Sequence, residues 1–174
     1  MFYRPEQGKE AIGLPFNPIK SLVVPRPIGW ISTLSPTGVA NLAPFSYFQM
    51  LLDDPPTLMF SAVGAHSEGD VKDTPHNIMR TGEFVYNMAT WDLREQMNLS
   101  STPVGREVDE FQYAGLTKAP SQMMKVPRVA ESPVSMECVL RQVIHLPSRR
   151  PDVQARIVIG EVVGVHIDDA VIRE

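Results

Sequence analysis

The sequence predicts a mainly β domain, closed or nearly closed as an antiparallel barrel, with two short helices inserted mid-chain. Three observations carry this. Short apolar stretches alternate with turn signals along the chain, the pattern of a barrel or sandwich. Sixteen prolines in 174 residues leave room for many turns and few long helices. Period-two alternation recurs at Phe84, Tyr86 and Met88, and again at Val134, Met136, Cys138 and Leu140. Closure is the favoured arrangement because it removes sheet edges.

The elements follow in order. Pro25 and Pro27 make an extended lead-in to a strand over Gly29 to Leu34. Ser35-Pro36-Thr37-Gly38 reads as a turn. Val39 to Phe48 returns as an irregular strand broken at Pro44, and Asp53-Asp54-Pro55-Pro56 turns the chain again. Thr57 to Val63 is a strand with Leu58, Phe60 and Ala62 on one face. Asp73 or Thr74 caps a helix that has Pro75 in its first turn and Gly82 at its end. Glu83 to Met88 is a strand. Thr90 caps a second helix over Trp91 to Leu99, with Leu93 and Met97 four apart. Ser100 to Val129 is loop-rich, with a short helical turn at Asp109 to Tyr113. A strand from Val134 to Leu140 and a last one over Ala155 to Ile167, bulged at Gly160 or Gly164, complete six or seven strands. The loop Pro147 to Pro151 between them holds Arg149 and Arg150.

Composition narrows the function classes. The length suits one domain over 1–174, able to bury roughly 70% of the surface its unfolded chain exposes. The lone cysteine, Cys138, excludes an internal disulfide, which fits a reducing cytoplasm. The first ten residues lack the apolar stretch of a secretory signal, and no apolar run reaches the roughly 18 residues of a membrane span. The net charge of -4, without a basic stripe, argues against a nucleic-acid partner. The motifs of serine hydrolases, zinc proteases and dinucleotide or P-loop sites are missing. His66, His76, His145 and His166 lack metal-site spacing, and no metal is expected.

Two segments stand out chemically. Lys72-Asp73-Thr74-Pro75-His76-Asn77 sets a cation, a hydroxyl and free N–H groups at a helix start, which favours an anion. An ordinary capped surface helix with a solvated lysine has the same local pattern. Arg26 to Thr33 leads through a turn to Asn41-Leu42-Ala43-Pro44-Phe45-Ser46, where small polar residues beside Pro and Gly suit close approach to a flat ligand. Ser32 and Thr33 could reach the phosphate held by Lys72 and Thr74. A hairpin with Trp30 and Phe45 in the core fits those residues equally well.

The stretches "PRPIGWISTLSPTGVANLAPFSYF" (25–48), "DDPPTLMFS" (53–61), "KDTPHNIMRTGEFVYNM" (72–88), "VDEFQYAGLT" (108–117), "VPRVAESPVSMECVL" (126–140) and "IVIGEVVGVHIDD" (157–169) together resemble the flavin reductase-like family, and within it the flavoredoxin branch. The matches run in order from Phe16 onward, leaving an N-terminal arm of about 1–15. The resemblance implies an FMN-binding split β-barrel with Greek-key connections, and a homodimer with flavin near the subunit interface. It implies that Ser32, Thr33, Lys72 and Thr74 hold the phosphate. Trp30 and Asn41, Ala43, Pro44, Phe45 and Ser46 would line the flavin, Asp73 and Asn77 would orient the loop or bond the ribityl chain, and Ser61 would touch that chain. No side-chain nucleophile or acid pair is needed, because the chemistry belongs to the flavin.

Two departures shape the functional expectation. Related reductases carry Gly-Asp-His or Gly-Gly-His before the last strand, with the histidine by the nicotinamide; here Gln154-Ala155 stands in its place. Family chains also usually continue past the position of Glu174. The leading expectation is an NAD(P)H-dependent flavin reductase, with NADH or NADPH as reductant. A flavoredoxin-like FMN carrier fed by a redox protein partner is the near alternative. A non-catalytic flavin-binding module is the third.

Overall fold

The computed structural model describes residues 2–66, 71–150 and 153–173. Nine strands are assigned among them: β1 (Gly29–Leu34), β2 (Ala40–Phe45), β3 (Phe48–Asp53), β4 (Pro56–Val63), β5 (Glu83–Met88), β6 (Lys118–Ala119), β7 (Arg128–Val129), β8 (Val134–Leu146) and β9 (Ala155–Ile167). The helices are α1 (Ile19–Leu22), α2 (Asp73–Thr81), α3 (Arg94–Leu99) and α4 (Glu110–Tyr113). Seven strands form one antiparallel sheet in the order β2-β1-β5-β8-β9-β4-β3, and β6 and β7 form a separate ribbon. The outermost strands, β2 and β3, are consecutive in sequence. The sheet curls so that they meet: Phe45 at the end of β2 packs on Phe60 of β4 with ring centroids 4.7 Å apart. Phe48 of β3 stacks on Tyr86 of β5 at 4.9 Å.

Alternation along the strands gives the sheet two apolar faces. The inner face holds Ile31, Phe45, Leu58, Phe60, Phe84, Cys138 and Val158, closed at one end by Ile78 of α2. Burial pushes the Cys138 thiol well above its ordinary range, which keeps it an inert core atom. The outer face of β1 and β2 carries Trp30, Ala40 and Leu42 under a cover from Leu93, Phe111, Leu116 and Val129. The loop-rich stretch after β5 therefore folds back as a lid on that outer face. A polar node fixes it. Asn87 donates to the Trp30 carbonyl and to Ser32 Oγ, both at 3.2 Å, and accepts from the Val129 N–H at 2.9 Å and Ser135 Oγ at 3.1 Å.

Most predicted elements appear where expected. Gly82 ends α2 in the left-handed region at φ 76°, which costs glycine nothing. Three expectations need correction. The irregular strand over Val39 to Phe48 is two strands, and the chain breaks at Ser46-Tyr47, not at Pro44. Pro44 sits opposite Trp30 on an edge strand, where no ladder neighbour on the outer side needs its missing N–H. The second helix begins at Arg94, after a turn in which Thr90 O accepts the Leu93 N–H. The bulges between β8 and β9 fall at Val163, beside Gly164, and at Arg141, opposite Gly160. The predicted Pro147 to Pro151 loop lies partly outside the described residues.

Candidate functional site

α2 starts next to the open end of β2, and the two elements build a cluster of short polar side chains. Asn41 Nδ2 donates to Thr33 Oγ1 at 3.1 Å and to Thr74 Oγ1 at 2.9 Å. Asn77 Nδ2 donates to the same Thr33 oxygen at 3.0 Å. All four residues are buried. The cluster ties the first turn of α2 to β1 and β2, so that the start of the helix is held in a fixed place.

Beside it opens a cavity of about 290 Å³. One wall is Ala43, Pro44 and Phe45 of β2. The helix start contributes Lys72, Asp73 and Thr74, and the lid contributes Ser100 to Val104 and Glu110. A second cavity of about 300 Å³ adjoins it, sharing Asn41, Asp73 and Glu110 and adding Asn77, Arg80 and Arg106. Asp73 is neutralised in place. Its carboxylate lies 3.1 Å from Arg106 Nη1 and 3.3 Å from His66 Nε2. Lys72 is exposed and forms no ion pair among the described residues. Glu110, 7% exposed, accepts the Leu42 N–H on Oε2 at 3.1 Å. Burial, reinforced by Asp73 and Asp109, pushes its carboxyl up to about 7 against the pull of the backbone amides.

The thirteen sequence-derived candidates fall into three groups. Asn41, Ala43, Pro44, Phe45, Lys72, Asp73 and Thr74 line the first cavity, and Asn77 lines the second. Thr33 stands behind them as the shared acceptor of the cluster. Trp30, Ser32, Ser46 and Ser61 are outside both linings. Trp30 and Ser32 point the other way, because residues 30 and 32 share the outer face of β1 while 31 and 33 face inward. Trp30 Nε1 donates to Ser100 Oγ at 2.9 Å, and Ser32 Oγ donates to the Pro127 carbonyl at 2.7 Å. Both are fully buried under the lid, so the structure gives neither a path to a phosphate or a ring in the cavity. Ser61 lies on β4, with its N–H bonded to the Tyr47 carbonyl.

Sequence reasoning missed the lid residues and Glu110. Glu110 lies inside the quoted "VDEFQYAGLT" stretch, but its burial depends on α4 packing against β2, which no local pattern reveals.

The model of the flavin reductase like domain matches residues 21–174. The chain belongs to the flavin reductase-like family. An uncharacterized protein from Aquifex aeolicus (strain VF5) is 39% identical over 156 residues, covering 90% of this chain and 76% of that protein. Among solved structures, nitrilotriacetate monooxygenase component B from Bacillus cereus superposes with a TM-score of 0.86 at 28% identity, covering 100% of this chain and 84% of that one. Flavoredoxin of Desulfovibrio vulgaris (Miyazaki F) shares the fold, with a TM-score of 0.73 at 20% identity over 87% of this chain and 75% of that one. The architecture is the split barrel of this flavin reductase-like family.

Proposed function

We propose that this chain binds FMN and works as an oxidoreductase of the NAD(P)H-dependent flavin reductase type. The observation that carries the reading is the cavity at the start of α2, where the cation of Lys72 and the Thr74 hydroxyl face an apolar wall of Ala43, Pro44 and Phe45. A mononucleotide needs such a pairing of an anion-holding end with a flat apolar surface. Ligand pockets typically start near about 300 Å³, so the two adjoining cavities together suit a ligand of this size. Lys72, Thr74 and the first-turn amides would hold the phosphate, with Thr33, Asn41 and Asn77 fixing Thr74 and the helix end. Bound FMN would supply the two-electron chemistry. The protein's part is to orient the ring against β2 and to exclude water with the lid. The family membership and the FMN-binding protein among its structural neighbours support the flavin.

A second reading, a flavoredoxin-like carrier reduced by a protein partner, is favoured by Ala155. It pairs with Val63 at the end of β4, and the Gln154 carbonyl accepts the Gly64 N–H at 2.8 Å. Ala155 offers a methyl group where the resembled reductases have an imidazole. The reading also includes a homodimer, for which the exposed Met50, Leu51 and Leu52 of edge strand β3 offer an apolar contact; sedimentation at micromolar concentration tests it.

The deciding experiment is anaerobic. The protein is loaded with FMN, NADH and then NADPH are added, and the visible flavin absorbance is followed. Rapid bleaching supports the reductase. A bound flavin that stays oxidised with both nucleotides, yet bleaches with dithionite, supports the carrier. Failure to retain FMN sinks both.

A further inference from the structure

Glu110 is the one carboxyl that lines both cavities without a cationic partner among the described residues. Its surroundings are set by four segments. β2 offers the Leu42 N–H, which Oε2 accepts. α2 brings Lys72 and Asp73, with His76 and Arg80 further along in the second cavity. The lid brings Arg106, which is bonded to Asp73, and the segment after β4 brings His66, also on Asp73. On its own helix Asp109 is paired with Lys118.

We propose that Glu110 is a proton-linked determinant of ligand binding, taking a proton from solvent onto its carboxylate when the anionic end of the flavin ligand enters the cavity. This rests on the flavin reading given above. The charge balance argues for it. Among the described residues at the helix start, Lys72 and Arg106 against Asp73 sum to one positive charge when Glu110 is neutral, and to none when it is ionised. A neutral carboxyl also offers an O–H donor to a phosphate or ribityl oxygen, whereas a carboxylate offers only acceptors facing acceptors. The carboxyl is 7% exposed and has no salt-bridge partner among the described residues, so desolvation already favours the neutral form. A phosphate entering beside it adds a second anion and pushes in the same direction.

The sign is distinctive. A phosphate monoester loses its second proton near pH 6, so a simple cationic site binds FMN equally well or better as pH rises beyond that. A site governed by Glu110 does the opposite. FMN and riboflavin are titrated against the protein by flavin fluorescence, at constant ionic strength, between about pH 6.5 and 8.5. The FMN affinity should fall about tenfold over that interval, the size of a shift of about one pH unit in the linked group. The affinity for riboflavin, which lacks the phosphate, should change less than about twofold. In Glu110→Gln the FMN affinity should be flat and, at the alkaline end, tighter than wild type. Calorimetry of wild-type protein near pH 7.5, in two buffers of different ionisation enthalpy, should show net proton uptake on FMN binding. That second measurement serves if the variant does not fold. FMN affinity that stays constant or rises with pH, an equal decline in Glu110→Gln, or zero proton uptake overturns the inference while leaving the flavin reading intact. No FMN binding at any pH overturns both.

Discussion

Replacing Lys72 by alanine separates the phosphate from the rest of the flavin. The side chain is exposed and runs beside Gly64, so its loss should leave the fold alone. What it should remove is a cation facing the cavity. Two unit charges about 4 Å apart interact by about 1 kcal/mol in bulk water and about 4 kcal/mol near a protein surface. A hydrogen bond to a charged group contributes about 1.5–3 kcal/mol net. For an exposed lysine at an open cavity the middle of these figures, about 2 kcal/mol, gives a roughly 30-fold rise in the FMN Kd. Riboflavin, with no phosphate, should bind within about twofold of wild type. The FMN loss should also shrink as salt rises from about 0.01 M to 0.15 M, because the Debye length falls from about 30 Å to 8 Å. Fluorescence titrations with both ligands at two salt concentrations measure all of this. Equal losses for FMN and riboflavin, or a salt-independent loss, would refute the phosphate assignment of Lys72.

Three further outcomes follow from the packing. Glu137 is fully buried on β8 and accepts the N–H groups of Gln122 and Met123 at 2.7 Å each, with His166 Nε2 at 2.5 Å. Burial raises its pKa, but those amides and His166 outweigh it and hold the carboxyl below its ordinary value. Stability from this group is therefore present above the unfolded value and lost as pH falls through the folded one. Glu137→Gln should cost about 3–5 kcal/mol in urea unfolding at neutral pH and flatten the acid limb; a loss under about 1 kcal/mol would contradict the assignment. Glu110 has the opposite sign. Its folded value of about 7 lies above the ordinary 4.5, so stability falls as pH rises between them, by roughly 3 kcal/mol in all. Glu110→Gln should unfold with a flatter pH dependence across that window, and an unchanged slope would count against the raised value. Gly160→Ala should cost at least about 2 kcal/mol, since its Cβ would lie 2.3 Å from the buried Phe84 ring. Phe84→Leu in the same chain should recover part of that loss, and strictly additive unfolding energies would refute the clash.

The sequence carried the strands whose alternation is clean and whose ends are marked. β1, β5 and β9 lie where the pattern put them, because Gly29, Gly82 and the β-branched run from Ile157 leave few other registers. β3 was hidden. Its Gln-Met-Leu-Leu core is mostly exposed on an edge strand, so no buried face imposes alternation. The start of α2 was legible as an anion-binding pattern because Lys72, Asp73 and Thr74 are contiguous. Which side of β1 faced the cavity was not. Ser32 and Thr33 are equally suited by chemistry, and only the lid's position decides that Ser32 turns away to Pro127. Glu110 needed the same tertiary information, as do all the residues that the lid brings to the site.

The lid also gives the molecule a built-in optical readout. Of the two tryptophans, Trp91 is 78% exposed with Arg94 over its ring, while Trp30 is 0% exposed. Iodide should therefore quench one and spare the other, leaving a blue-shifted emission from Trp30 alone. That indole is hydrogen-bonded to Ser100, at the start of the lid segment lining the cavity. Loosening of the lid would expose Trp30 to the quencher, so the rate of lid opening can be followed in solution without attaching a label.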